Sequence, residues 1–170
     1  MSAKDTQLLL HNFMPYRLSV AANAVSRVVA TTYVNQFGLS THEWRLLAVL
    51  HEHPSSTQQD LVALTQMDKI AVSRAARALS QHGLVIRTPD ALDGRAWKLK
   101  LSATGLKHYQ SIAPAVLDLE SKLLDSLSKS EASTLNEILL KLTRAAASLI
   151  EDEALAINVA VPKRRLRSIR

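Results

Sequence analysis

The chain has 170 residues, of which 47% are hydrophobic and none is cysteine. This suits one domain, or one domain with a helical appendage, and excludes a disordered chain, disulfides, cysteine-held metals and thiol nucleophiles. Its net charge of +6 is concentrated: residues 69–107 hold eight Lys/Arg against two Asp/Glu, and residues 163–170 hold five against none. Such a basic block is the electrostatic footprint of an anion-binding surface, with nucleic acid first in line.

No apolar run reaches the length of a membrane span, and the opening MSAKDTQLLLHNF lacks the basic region, apolar stretch and cleavage site of a secretion signal. The expected location is cytoplasmic, with no membrane partner.

Most of the chain has helical periodicity. A short helix is expected over 4–14, broken at Pro15 from a long one over 16–37 that Gly38 ends. Ser40 and Glu43 have the spacing of a capping box and open a second helix ending near His53, before Pro54. Ser56 and Gln59 repeat that spacing and open a short third helix to about Thr65. Asp68 is the expected N-cap of a fourth helix over 69–82, closed by Gly83.

The pattern then changes. LVIRTPD is β-branched, LDGRA is a turn, and WKLKL alternates with period two. A β-hairpin is expected, with Asp93, Gly94 and Arg95 at its tip. Ser102 caps a helix over 103–127 that contains Pro114, and a Ser128–Glu131 box opens a last helix to about 156. The tail VPKRRLRSIR has no apolar period, and no fixed structure is expected of it.

Three short helices followed by a hairpin is the order of a winged helix-turn-helix. At about 100° per residue, Val72, Ala75, Ala76 and Leu79 form one stripe of the fourth helix. Ile70, Arg74, Arg77 and Gln81 gather at the opposite pole, with Lys69 and Ser73 on the flank. A helix of this kind enters the major groove, where arginine reads guanine and an exposed Ile70 packs on a thymine methyl. Arg95 on the hairpin turn suits a narrow minor groove, with Asp93 holding it in position.

Residues 67–105 resemble the DNA-binding core of MarR-type transcriptional regulators. The resemblance rests on Val72-Ser73-Arg74, Gly83-Leu84-Val85, Asp93 with Arg95, and Leu101 through Gly105. Segments 14–27 and 37–50 are similar to the family's first two helices, so the likeness spans roughly residues 8–150. Gln66 stands where the family usually has glycine or a small residue, Ser102 where it has threonine, and Trp97 where it has a smaller wing residue.

The fold class so implied is mainly α with a small β-hairpin wing: a winged helix-turn-helix with a helical dimerisation region. The boundaries expected are dimerisation helices over 1–38, the DNA-binding domain over 39–102, further dimerisation helices over 103–156, and a basic tail over 157–170. The partners implied are a second copy of the chain and double-stranded DNA with a near-palindromic operator. The apolar residues Leu117, Leu123, Leu124, Leu127, Leu135, Ile138, Leu139, Leu142, Leu149 and Ile150 support the homodimer independently, since they exceed what two terminal helices need for one small core.

The DNA-binding set is Lys69, Ile70, Ser73, Arg74, Arg77, Gln81, Arg95 and Lys98. Family members often bind small aromatic anions between the dimer helices and the DNA-binding lobe, which implies a repressor released by an aromatic carboxylate or its thioester. Arg17, a lone cation on a Val/Ala stripe, is the candidate carboxylate partner. Trp44 and His51, on one face of the second helix, are candidate pocket walls. The alternatives are a winged-helix protein without an effector, or a helical module that meets an acidic protein. The six histidines show no metal-ligand spacing, and there is no phosphate-binding glycine loop or nucleophile elbow. No metal, cofactor or enzymatic activity is expected.

Overall fold

The computed structural model describes residues 8–89 and 97–160, with side chains as far as residue 150. The chain divides between Ser121 and Lys122 into two compact units.

The first unit begins with a single 3-10 turn at Leu10–Asn12 and then α1, Met14–Phe37. The described residues therefore carry no α-helix before Met14, and α1 starts earlier than periodicity suggests. Pro15 lies in the first turn of α1, where a missing N–H costs nothing and the fixed φ favours helix, so it starts a helix rather than ending one. Gly38 closes α1 at φ +66°, and its N–H donates to Val34 O at 3.0 Å.

Helix α2, Thr41–Glu52, opens on the expected capping box: the Ser40 N–H donates to Glu43 Oε2 at 2.6 Å, and the Glu43 N–H to Ser40 Oγ at 3.3 Å. The next box is displaced by one residue from the expected Ser56–Gln59. Helix α3, Gln58–Thr65, is capped by Thr57, whose N–H donates to Asp60 Oδ2 at 2.8 Å. A two-residue strand β1, Ser56–Thr57, pairs antiparallel with the later WKLKL strand, and Ser56 is unavailable as a cap because its side chain is committed elsewhere. Its buried hydroxyl donates to His53 O at 2.8 Å. A carboxylate also accepts more strongly than the amide of Gln59.

Helix α4, Lys69–Gln81, follows, then β2, Val85–Pro89, and β3, Trp97–Leu101. The hairpin has the register Val85↔Leu101, Arg87↔Leu99 and Pro89↔Trp97, and the sheet order is β1-β3-β2. Its tip, with Asp93, Gly94 and Arg95, lies outside the described residues, as does the basic tail from residue 161.

Helix α5, Ala103–Leu124, contains Pro114 and crosses from the first unit into the second. Helix α6, Lys129–Ala160, begins on the expected Ser128–Glu131 box, with the Ser128 N–H donating to Glu131 Oε2 at 2.8 Å. The Ser128 hydroxyl and backbone N–H hold the Glu131 carboxyl below its ordinary value.

One core ties the first unit together. Leu46, Leu47 and Leu50 of α2, Leu61 of α3, Val72, Ala76 and Leu79 of α4, Leu99 of β3 and Ile112 of α5 are each no more than 2% exposed. Truncating one such leucine typically costs about 2–5 kcal/mol.

Candidate nucleic-acid interface

The turn before α4 sets how that helix leaves α3. Gln66 takes the left-handed conformation at φ +54°, the role a glycine fills more easily. Its side-chain amide donates to Ala63 O at 2.6 Å. The Thr65 hydroxyl, bonded to Leu61 O at 2.5 Å, also accepts from the Met67 N–H at 3.3 Å. Asp68 then caps α4 by accepting from the Ala71 N–H at 2.7 Å.

The far end of α4 is latched to α5. Gly83 turns the chain at φ +68°. The Ser102 hydroxyl donates to Gly83 O at 2.6 Å and accepts from the Gly105 N–H at 2.9 Å. The Ser102 N–H donates to Leu84 O at 2.9 Å. Gly105 is required for this approach, because a Cβ there would collide with the Leu84 carbonyl. The Gly83-Leu84-Val85 and Leu101–Gly105 segments thus act as one joint that positions the wing against α4.

Held at both ends, α4 buries Val72, Ala75, Ala76 and Leu79 and presents the opposite pole to solvent, as its periodicity predicts. Lys69, Ile70, Arg74, Arg77 and Gln81 are exposed and Ser73 is half-buried. Ile70 is 64% exposed. A groove of about 410 Å³ is lined by Lys69, Ile70, Ser73, Arg74 and Arg77. A second, of about 300 Å³, continues through Ser73, Arg77, Ser80 and Gln81 to Arg87 on β2. A third, of about 370 Å³, joins Lys69 to Gln58, Gln59 and Val62 of α3. No acidic residue lines any of the three. Four cations beside neutral amides and hydroxyls can donate to phosphate oxygens and to guanine edges.

The wing residues divide by register. Arg87 pairs across the ladder with buried Leu99, so it lies on the sheet face that meets α4. Lys98 and Lys100 alternate to the other face. Lys98, expected among the DNA-binding residues, is half-buried there and borders none of the three grooves. Arg87, Gln58 and Gln59 were not among the expected residues. For Arg87 the signal was available, since it stands one alternation step from Val85 on the buried face.

The expected effector residues are not brought together. Arg17 is exposed, as are Val20 and Val28 on its stripe, so the chain alone imposes no burial on its charge. A cleft of about 250 Å³ between α1 and α2 is lined by Val25, Ser26, Val29, Tyr33, Thr41, Trp44, Arg45, Ala48, Val49 and Glu52. Trp44 is a wall of it, whereas Arg17 and His51 are not. The cation at this cleft is Arg45.

Trp44 instead joins a column of rings: Tyr33 lies 5.7 Å away on one side and Tyr109 of α5 5.8 Å away on the other, with interplanar angles of 20° and 12°. His51 closes the column on Tyr109 at 3.9 Å. Periodicity put Trp44 and His51 on one face of α2 but carried no sign of Tyr109, which arrives from a distant segment. Among the described residues no group of three or more His, Asp or Glu is placed to hold a metal, and no helix is long and apolar enough to cross a membrane.

Residues 37–96 match the model of the MarR family. The chain is 25% identical over 144 residues to a putative transcriptional regulatory protein for the hcr operon of Thauera aromatica, covering 82% of this chain and 87% of that protein. Its fold is similar to that of a MarR/EmrR family transcriptional regulator from Acinetobacter sp. ADP1, with a TM-score of 0.76, 23% identity, and 83% and 99% of the two chains covered. It is also similar to BpsR of Bordetella bronchiseptica, whose DNA binding is regulated by 6-hydroxynicotinic acid; there the TM-score is 0.74, the identity 17%, and the coverage 81% and 97%. Residues 37–96 thus match the MarR family, and the fold of the chain is that of solved MarR-family regulators.

Proposed function

We propose that two copies of the chain form a homodimer that places one α4 each in successive major grooves of a near-palindromic operator, and that it represses until a small aromatic carboxylate or its thioester binds. The observation that carries the DNA reading is the exposed pole of α4, where Lys69, Ile70, Ser73, Arg74, Arg77 and Gln81 face outward from a fully packed stripe. Arg74 and Arg77 are the proposed base readers. Lys69, Ser73, Gln81 and Arg87 are proposed to hold the backbone, and Arg95 and Lys98 to flank the site from the wing.

The dimer is supported by exposed apolar side chains: Val20, Val28 and Val34 on α1, Leu117 on α5, and Leu135, Ile138, Leu139 and Leu142 on α6 are all at least 41% exposed. Apolar surface on that scale marks an interaction site.

The effector proposal rests on the α1–α2 cleft with its Trp44 wall. A DNA-binding regulator without an effector is the second reading, favoured by the ring column, which already occupies Trp44 and His51. Both are tested by selecting a duplex from a random-sequence library with the full chain and measuring its affinity with and without benzoate-type acids and their thioesters. Release by an acid, lost in Trp44→Ala, supports the effector; no release by any of the panel supports the second reading. Failure to enrich any sequence overturns the DNA proposal.

A further inference from the structure

Trp97, on the wing strand β3, is 55% exposed. Its position explains why the core leaves it bare. It opens β3 on the tip side and pairs with Pro89. Alternation puts it on the same sheet face as Leu99, which is 2% exposed, and as Arg87, the ladder partner of Leu99. Two residues of strand advance about 7 Å, enough to carry the indole past the edge of the core. Arg87, its diagonal neighbour across the ladder, lines the groove that begins at Arg77 and Gln81 of α4. The indole therefore continues the α4 side of the molecule rather than the outer face of the wing.

The surroundings specify what covers it. The described residues of β2 and β3 contain Arg87, Lys98 and Lys100 and no Asp or Glu. Of these only Arg87 shares the face of Trp97, and an apolar ring beside that cation, on the side that the proposed reading helix faces, fits a polyanion with apolar edges. The sugar–phosphate rim of a duplex is such a surface: its deoxyribose C–H groups pack on a ring face, and its phosphate oxygens accept from an indole N–H.

We propose that Trp97 is a DNA-contacting residue whose indole packs on the deoxyribose rim of the groove flanking the one read by α4, adding a contact with the backbone beside the operator half-site. This rests on the proposed placement of α4 in the major groove.

The test labels both tryptophans, Trp44 and Trp97, with 5-fluorotryptophan in the full chain and assigns their fluorine resonances with Trp97→Phe. The probe is the duplex that the chain selects from a random-sequence library. On titration with it, the Trp97 resonance is expected to shift and to lose its water/deuterium-oxide difference. In parallel, Trp97→Ala is expected to weaken binding roughly three- to tenfold, with Trp97→Phe recovering most of the loss through its remaining ring area.

If the wild-type chain binds the duplex while the Trp97 signal and the affinity of Trp97→Ala stay unchanged, the proposal is overturned and the α4 reading stands. If shielding appears without DNA and grows with protein concentration, the ring is covered by a second copy and the proposal is also overturned. Should the wild-type chain bind no duplex, both readings fall. An unfolded Trp97→Ala would be recognised by circular dichroism, and the fluorine arm on the wild-type chain decides without it.

Discussion

Helices α4 and α6 are both amphipathic, and they differ in what their apolar sides meet. In α4 the stripe Val72, Ala75, Ala76 and Leu79 is at most 4% exposed, covered by the leucines of α2 and α3 and by the sheet. In α6 the corresponding residues Leu135, Ile138, Leu139 and Leu142 are 42–46% exposed. A helix whose apolar side is satisfied within the protomer has a fixed orientation, so its polar side is a defined surface available for recognition. A helix whose apolar side is bare suits the proposed assembly surface, where its contribution to stability would depend on protein concentration. On that proposal one chain carries a rigid reading head and a separate assembly region.

The largest expected effect falls on the packed side of that comparison. Leu79→Ala should destabilise the first unit by about 2–5 kcal/mol at any protein concentration, read as a shift in the urea midpoint. Gly105→Ala should behave alike, because relieving its clash with Leu84 must move backbone.

On the bare side, Ile138→Asp with Leu142→Asp should weaken self-association by at least about tenfold while leaving the urea transition of the first unit in place. Sedimentation over a dilution series checks this; an unchanged distribution would mean that α6 is not the assembly surface. Next come the exposed cations of α4. Arg74→Ala and Arg77→Ala should each cost about 1–3 kcal/mol on the selected duplex and relax its sequence preference. Arg87→Ala should lower affinity for all duplexes alike and flatten the salt dependence, as a phosphate contact does.

The smallest effect is at the start of α6. Because Glu131 titrates below its ordinary value when folded, its contribution is complete above the ordinary carboxylate range and is lost as pH falls through the lowered value. Glu131→Gln should remove that acid-side difference, which helical content followed across the acid range would report.

The features readable in advance were those with a local physical cause. The α4 stripe shows because burial of one helix side imposes a 3.6-residue period, and the boxes at Ser40 and Ser128 show because two orphan N–H groups need acceptors at a fixed spacing. Strand β1 was missed because two residues carry no period, and the buried bond of the Ser56 hydroxyl to His53 O leaves the third cap to Thr57. Gln66 was legible as a departure from the family but not as a left-handed residue, since its own side-chain bond to Ala63 supports a conformation its type disfavours. The ring column was illegible for another reason. Which rings meet depends on Tyr109, more than fifty residues from Trp44, and no local pattern connects them.

In the proposed complex the satisfied packing of α4 makes its polar pole a major-groove reader, presented twice by the assembly helices. Dimethyl sulfate protection of guanine N7 on the selected duplex tests this most directly, because that atom is reached only from the major groove. Two symmetric clusters of protected guanines are expected, about 10 base pairs apart or a multiple of that, with individual protections lost in Arg74→Ala or Arg77→Ala. Full binding with every guanine N7 still open to methylation would contradict it.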